Sequence, residues 1–289
     1  TSITFKYIIF SMIIWIASYP KSGNTYVRSF LSAYYFSKDG EFSFDLLKNI
    51  KQFPNVEFFE KPFNGVDEAS KNWLNAQKKI KDTKKVLFLK THSCLGQFRG
   101  QPFTTNEFSL GGIYILRDPR NVITSIKNHY SFDDQAALKF VTNVHTEIRE
   151  ANSNDFRTWT LLSNWSNHYK SWVKSKNFRK LIVRYEDFEE KKYETFRDIV
   201  VFTNTLLNKT ERINEVKLER AIETTNFNVL KNKEKNEGFE EAAYSKEEEK
   251  RKVFFNLGFN NRWKKLLTEN IRKQIENEFT EEMNELGYL

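Results

Sequence analysis

A chain of 289 residues with 39% hydrophobic and 16% aromatic side chains can bury a sizeable core, which excludes wholesale disorder. Its net charge of +8 favours anionic ligands or surfaces without singling out nucleic acid among them. Cys94 is the one cysteine, so an internal disulfide and a multi-cysteine metal site are both excluded, in keeping with a reducing compartment.

In chain order, Lys6 followed by the apolar residues 7–17 has the layout of a signal peptide. The apolar run is short of the ~20 residues that a spanning helix requires. Cleavage near Ala17 would also remove the strand that feeds the loop after it, so residues 12–17 are read as a buried parallel strand. The chain opens on Thr1 rather than Met, and truncation at this end is left open. The run Tyr19-Pro-Lys-Ser-Gly-Asn-Thr-Tyr26 follows as a tight loop, and residues 25–31 leave it with helical spacing. Such a strand–loop–helix aims backbone N–H groups and a helix N-terminus at one spot, which suits a phosphate-sized anion. The loop nearly fits a nucleoside triphosphate P-loop, with Ser18, Gly23 and Thr25 in register. Asn24 stands where that pattern needs lysine, and the lysine sits three places earlier, at Lys21.

Further on, residues 86–89, 112–116 and 181–184 read as short apolar strands. Helical patterns cover 67–79, 121–130, 159–174, 193–207, 215–224 and 269–286; the last has Ile271, Ile275, Phe279, Met283 and Leu286 on one face. This alternation predicts an α/β protein with a central parallel sheet flanked by helices, and ligands at the strands' C-terminal ends. No linker or repeat divides residues 1–289, so one domain is expected. The polar tract 231–252 reads equally as a solvated surface or a mobile lid. Three motifs fall at strand ends. Lys90-Thr-His92 offers a histidine whose ordinary titration suits proton removal near neutral pH. Arg117 closes a strand eight residues before Ser125, a guanidinium fork and a hydroxyl of the kind that hold phosphate. Tyr185-Glu-Asp ends the last strand. His129, His145 and His168 read as ordinary surface or helix residues, the Asp133-Asp134 pair as a turn or cap. No spacing suggests a metal site.

Together these residues resemble the sulfotransferase family, in its soluble type that uses 3′-phosphoadenosine 5′-phosphosulfate (PAPS). The resemblance runs from about residue 14 to residue 263. The family's phosphosulfate loop reads Tyr-Pro-Lys-Ser-Gly-Thr-Thr-Trp, and residues 19–26 match it except at Asn24 and Tyr26. Lys-Thr-His carries the family's general base, which falls on His92. Its 3′-phosphate motif has an Arg and a Ser eight apart, as Arg117 and Ser125 are. Tyr185 resembles a tyrosine near the adenine, and Thr225-Asn-Phe227 a Thr-Ser-Phe segment near the nucleotide. A closing Arg-Lys-Gly loop is degraded: anchored on Trp263-Lys264, it leaves Asn256-Leu257-Gly258, with Gly258 alone in register. Arg251 and Lys252, five residues earlier, are the candidates to supply the missing charge.

The resemblance implies a P-loop-like sulfotransferase fold and PAPS as sulfuryl donor, with no metal. Donor contacts fall on Lys21, Ser22, Gly23, Asn24, Thr25, Tyr26, Arg117, Ser125, Tyr185, Thr225, Phe227, Arg251, Lys252 and Gly258. Lys21 is placed at the leaving bridging oxygen, His92 at the acceptor's proton, and Ser125 as a partner that restrains Lys21. Tyr26 can stack on adenine or simply belong to the core, and Tyr185 likewise. The implied partner is a small-molecule or glycan acceptor, not nucleic acid, for a cytoplasmic enzyme without a membrane span. Residues 38–64 and 132–156 are the expected acceptor walls, with Phe53, Phe58, Phe59 and Phe63 as an apolar lining. Lys264 and Thr268 fit the family's dimer motif while Glu269 and Lys273 do not, so the oligomeric state stays open. Two other classes remain: a P-loop kinase, against which Asn24 counts, and a non-catalytic nucleotide- or RNA-binding protein, which has no use for His92.

Overall fold

Ile13–Ser18 holds no polar side chain before its last residue, and all six residues are buried. In the computed structural model, which describes residues 12–83, 85–152, 155–242, 244–245 and 250–289, this run is the central strand β1. Around it lie β2 (Lys51–Gln52), β3 (Leu87–Thr91), β4 (Ser109–Leu116) and β5 (Lys180–Arg184), in the order β2-β3-β1-β4-β5. Every pairing is parallel. A strand buried on both faces reads as a continuous apolar run, which is why β1 lacks the alternation of a half-exposed strand.

Alternate residues of β1 feed two cores. Ile13, Trp15 and Ala17 face Trp73, Trp159, Trp165 and Trp172 on one side, while Ile14 and Ile16 face Phe30, Leu31, Phe196 and Ile199 on the other. Trp15 satisfies its indole N–H on the Ser109 hydroxyl at 2.8 Å. The register pairs Ala17 with Thr91 and Ser18 with Ile115, so the residues that follow β1, β3 and β4 emerge side by side on one rim.

Helices α1 (Asn24–Phe36), α2 (Val66–Asp82) and α3 (Pro119–Tyr130) lie where the periodicity predicts them. Elsewhere the reading needs correction. The run expected as a helix over 159–174 begins in a strand: Asp155–Leu161 pairs antiparallel with Glu147–Asn152, and the helix is confined to Trp165–Val173 behind the Asn164 cap. The β-branched and aromatic Thr158-Trp-Thr160 favours the pleated state, and Trp159 stacks on Trp73 with ring centroids 5.4 Å apart. The helix expected over 269–286 breaks at Phe279, although Ile271, Ile275, Phe279 and Met283 are buried as the spacing implies. Asp133 caps the helix Asp134–Thr142 by accepting from the Ala136 N–H at 2.7 Å. In the tract 231–252, residues 231–237 complete the helix Phe227–Glu237 and are exposed or half-buried, as the solvated-surface reading has it, whereas Phe239 and Ala242 are buried. Residues 243 and 246–249 of that tract lie outside the described residues. No helix among the described residues is long and apolar enough to cross a membrane.

Candidate active site

The rim of β1, β3 and β4 opens into a cleft of about 1520 Å³, larger than the roughly 300–1,000 Å³ of a usual single-ligand pocket. Its floor is the loop between β1 and α1. Two residues of that loop adopt left-handed backbone, Lys21 at φ 64° and Gly23 at φ 100°. At Gly23 a side chain would be strained: a Cβ would come within 2.5 Å of the Tyr185 ring. Asn24 holds the loop from inside, donating to the Ile16 carbonyl at 3.0 Å and the Ser18 hydroxyl at 3.3 Å. Among the described residues the N–H groups of Gly23, Asn24 and Thr25 have no acceptor, as expected of a helix N-terminus. Ser22 is buried with its hydroxyl unpartnered, and it stands behind the cleft wall rather than in it.

Cations surround this cradle. The Lys21 ammonium lies 4.3 Å from the centre of the Phe254 ring. Burial, then the neighbouring Arg117 and Lys90, pull its titration from 10.5 down to about 8. Arg117 donates to the Lys21 carbonyl at 2.6 Å and to the Ser125 hydroxyl at 3.3 Å, and its guanidinium covers the Tyr185 ring at 4.1 Å. Its Nε is buried with nothing to donate to. Ser125 also accepts from the Asn261 amide at 2.7 Å. Ser125 is therefore engaged by Arg117 and Asn261, not by Lys21 as expected, and the lysine turns instead to Phe254.

His92 sits just past β3 and lines the cleft. Its Nδ1 lies 2.8 Å from the Ser18 carbonyl, which can only accept, so Nδ1 carries the proton and Nε2 keeps a bare lone pair. Burial, then Lys90 and His168, push its titration down to about 3, so the ring is neutral at ordinary pH. His168 is no surface residue: it is fully buried, receives the Tyr114 hydroxyl at 2.9 Å and donates to the His92 carbonyl at 3.0 Å. It thereby fixes the backbone that carries His92. His129, also expected to be ordinary, lines the cleft, and burial with Lys21, Lys252 and Lys90 holds it neutral. His145 is exposed.

The other residues named from sequence divide. Thr25, Tyr26, Arg117, Ser125, Tyr185, Phe227, Arg251, Lys252 and Gly258 all line the cleft. Tyr26 is buried, edge-on to Phe188 and Phe196 at 5.4 Å each, as its core reading holds. Thr225 does not reach the cleft; its hydroxyl is spent on the Ala221 carbonyl at 2.6 Å, closing a helix. Phe227 props the 256–258 loop from below, so closely that a Cβ on Gly258 would lie 2.7 Å from the ring. Arg251 is committed to the carbonyls of Glu240 at 2.5 Å and Ala242 at 3.1 Å, and Lys252 bonds the Ser131 hydroxyl. The expected Phe53, Phe58, Phe59 and Phe63 lining is absent from the cleft: Phe53 and Phe63 are core residues, and Phe58 and Phe59 pack on Phe53.

Sequence reasoning missed Glu241, Arg28, Lys90 and Asn261. Arg28 is 3% exposed and clamps Glu241 at 2.8 and 3.0 Å, and Lys90 reaches the same carboxylate at 3.3 Å. Burial opposes the Glu241 charge, but Lys90 and Arg28 outweigh it and hold the carboxyl at about 2. Lys90 stands two places before His92 in a motif already noticed, a signal that was there to be used; Glu241 lies 151 residues away and has none.

Comparisons with known proteins bear on the family and the fold. Residues 12–287 match the sulfotransferase domain family. Two mouse proteins, sulfotransferase 1 family member D1 and sulfotransferase 1E1, are each 25% identical over 276 residues. Those alignments cover 94% and 93% of this chain and 83% of each relative. The crystal structure of mouse sulfotransferase SULT7A1 complexed with PAP superposes with a TM-score of 0.57 at 18% identity, covering 94% of this chain and 84% of that one. That last likeness bears on the fold alone. The match spans nearly the whole chain, and the protein belongs to the sulfotransferase family.

Proposed function

We propose that this chain transfers the sulfuryl group of PAPS to a hydroxyl or amine of a small acceptor. The observation that carries the donor is the one-sidedness of the cradle. Lys21, Arg117 and the free N–H groups of residues 23–25 converge as donors, and the buried Arg117 Nε lacks a partner. Such a set fits a dianionic or more highly charged ligand. PAPS supplies a sulfuryl group joined to a phosphate that leaves with the bridging electron pair. Gly23, Asn24 and Thr25 would hold the 5′ side by backbone N–H groups, and Arg117 with Ser125 the 3′-phosphate. Asn261 takes part by fixing Ser125, a duty the degraded Arg-Lys-Gly loop would otherwise share. Tyr185 would border the base.

Lys21 places a positive charge where the leaving oxygen gathers negative charge, an interaction strongest in the transition state. His92, neutral and with Nε2 bare, is placed to accept the acceptor's proton. The burial that holds its titration at about 3 makes it a weaker base than an ordinary histidine, so its contribution falls toward the lower end of the ~10²–10⁴-fold of a positioned base. We read the chain as a single cytoplasmic enzyme domain whose chemistry needs no divalent metal. Calorimetry of 3′-phosphoadenosine 5′-phosphate (PAP) against ADP and ATP, with and without Mg²⁺, tests the donor. Metal-free preference for PAP, lost in Arg117→Ala, is expected; binding of ATP only with Mg²⁺ would return the case to a kinase. His92→Ala should lose turnover and keep PAP binding, whereas unchanged turnover removes His92 as the base.

A further inference from the structure

The half of the cleft beyond His92 is polar, and it is built from one face of the hairpin Glu147–Asn152/Asp155–Leu161. In its register Ile148 pairs with Thr160 and Glu150 with Thr158, so these four side chains share a face. All four line the cleft, while Trp159 between them turns to the opposite core. The Leu161 carbonyl receives the Cys94 N–H at 2.7 Å, which seats this face next to the His92 turn. From the other side the Phe53 N–H donates to the Lys90 carbonyl at 2.8 Å, bringing Gln52 to the same wall.

Among the described residues, the hydroxyls of Thr158 and Thr160, the Gln52 amide and the Glu150 carboxylate make no hydrogen bond or ion pair within the protein. Tyr130 adds a ring at the edge of the same space. An apolar acceptor seated here would strip water from these groups and return no hydrogen bonds, a cost paid for each group left unpaired. A molecule with several adjacent hydroxyls would satisfy them all, because each hydroxyl both donates and accepts. A carboxylate, an amide and two threonine hydroxyls supply both roles.

The geometry points to a neutral polyol of the monosaccharide class as the acceptor, an inference resting on the donor assignment above. In the transfer, the bond from sulfur to the bridging oxygen of PAPS breaks and its electron pair leaves on PAP. A bond forms from the polyol oxygen to sulfur, and the polyol's proton passes to Nε2 of His92. No oxidant or reductant is involved.

The test uses the full chain with radiolabelled PAPS and three acceptors: methyl β-D-galactopyranoside, myo-inositol and 2-naphthol. PAP binding is measured alongside by calorimetry. We expect kcat/KM for a polyol to exceed that for 2-naphthol by at least ~10-fold, as a site built for hydroxyl recognition discriminates. Thr158→Val and Thr160→Val, close in shape, should each raise KM for the polyol by ~10-fold and leave PAP affinity unchanged. With PAP bound normally, preference for 2-naphthol or absence of transfer to either polyol overturns the polyol assignment and leaves the donor reading standing. Absence of PAP binding overturns both.

Discussion

Replacing Lys21 with methionine should make the protein more stable while removing its turnover. The ammonium is kept where burial, Arg117 and Lys90 all disfavour it, and its titration falls from 10.5 to about 8. At about 1.4 kcal/mol per pKa unit, that is roughly 3 kcal/mol set against the charged side chain at neutral pH. The lysine of the unfolded chain holds its proton up to a higher pH. Between pH 8 and 10.5 the unfolded state therefore binds more protons, and stability rises with pH across that window. Below 8 the full cost is present. Methionine keeps an unbranched side chain over the Phe254 ring and drops the charge, while the left-handed backbone at this position stays. Partial hydration of the ammonium reduces the recoverable part, so we expect a gain of about 1–3 kcal/mol, or ~2–5 °C in Tm for a chain of this size. Turnover should fall by ~10²–10³-fold, the usual loss when one transition-state electrostatic partner is removed. Thermal unfolding of both proteins at pH 7 and pH 10.5 is the assay, because at the higher pH the wild-type lysine is neutral and the gap should close. A variant no more stable at pH 7, or a gap that persists at pH 10.5, would refute the reasoning.

Three further outcomes follow from the same geometry. Gly23→Ala meets both a φ of 100° and a Cβ 2.5 Å from Tyr185, so it should cost about 1–3 kcal/mol and weaken PAP binding at least ~10-fold by calorimetry. Glu241→Gln leaves Arg28 and Lys90 facing a neutral partner; with the carboxylate about a third exposed, we expect a loss of about 1–3 kcal/mol in urea unfolding. An unchanged midpoint would show the pair contributes nothing. Finally, His168 is held neutral down to about pH 3 by burial, against an ordinary 6.5. The stability of its neutral burial is complete above pH 6.5 and is lost as pH falls toward 3, at up to about 1.4 kcal/mol per pH unit. His92 and His129 are held down to about 3 as well and act in the same window, and Glu241 joins only below pH 4.5. His168→Gln should therefore remove about a third of the decline between pH 6.5 and 4.5; a decline left unaltered would contradict the assignment.

What could be read from the sequence was what is local. Residues 19–26 carry their whole meaning in adjacent positions, because a Pro/Gly loop between a buried strand and a helix has few ways to close. Arg117 and Ser125 were legible for the same reason, eight residues apart across one strand–helix junction. Where meaning depends on distant packing the reading failed. Nothing near Glu241 says that it meets Arg28 across 213 positions. The four phenylalanines of residues 53–63 invited an apolar pocket, but hydrophobicity alone does not say which side of the wall a ring will occupy. Trp159 was read as helical because its apolar spacing suits either state, and only its partner strand and Trp73 decide. His168 looked idle because its two hydrogen bonds, to Tyr114 and to the His92 backbone, span 54 and 76 positions.

The hairpin Glu147–Asn152/Asp155–Leu161 is tied to the rest of the protein by backbone links from Cys94 to Leu161 and from Phe156 to Phe63. It is no part of the five-stranded sheet. The donor cradle is thus set by the pitch of parallel strands, whereas the surface opposite rides on a separate ribbon packed on the core through Trp159, Phe156 and Leu161. A change of residue on the inward face of that ribbon alters what can be recognised without shifting the registry that aligns Ser18, Thr91 and Ile115. Exchanging Ile148, Glu150, Thr158 and Thr160 together is therefore the economical way to redirect this scaffold.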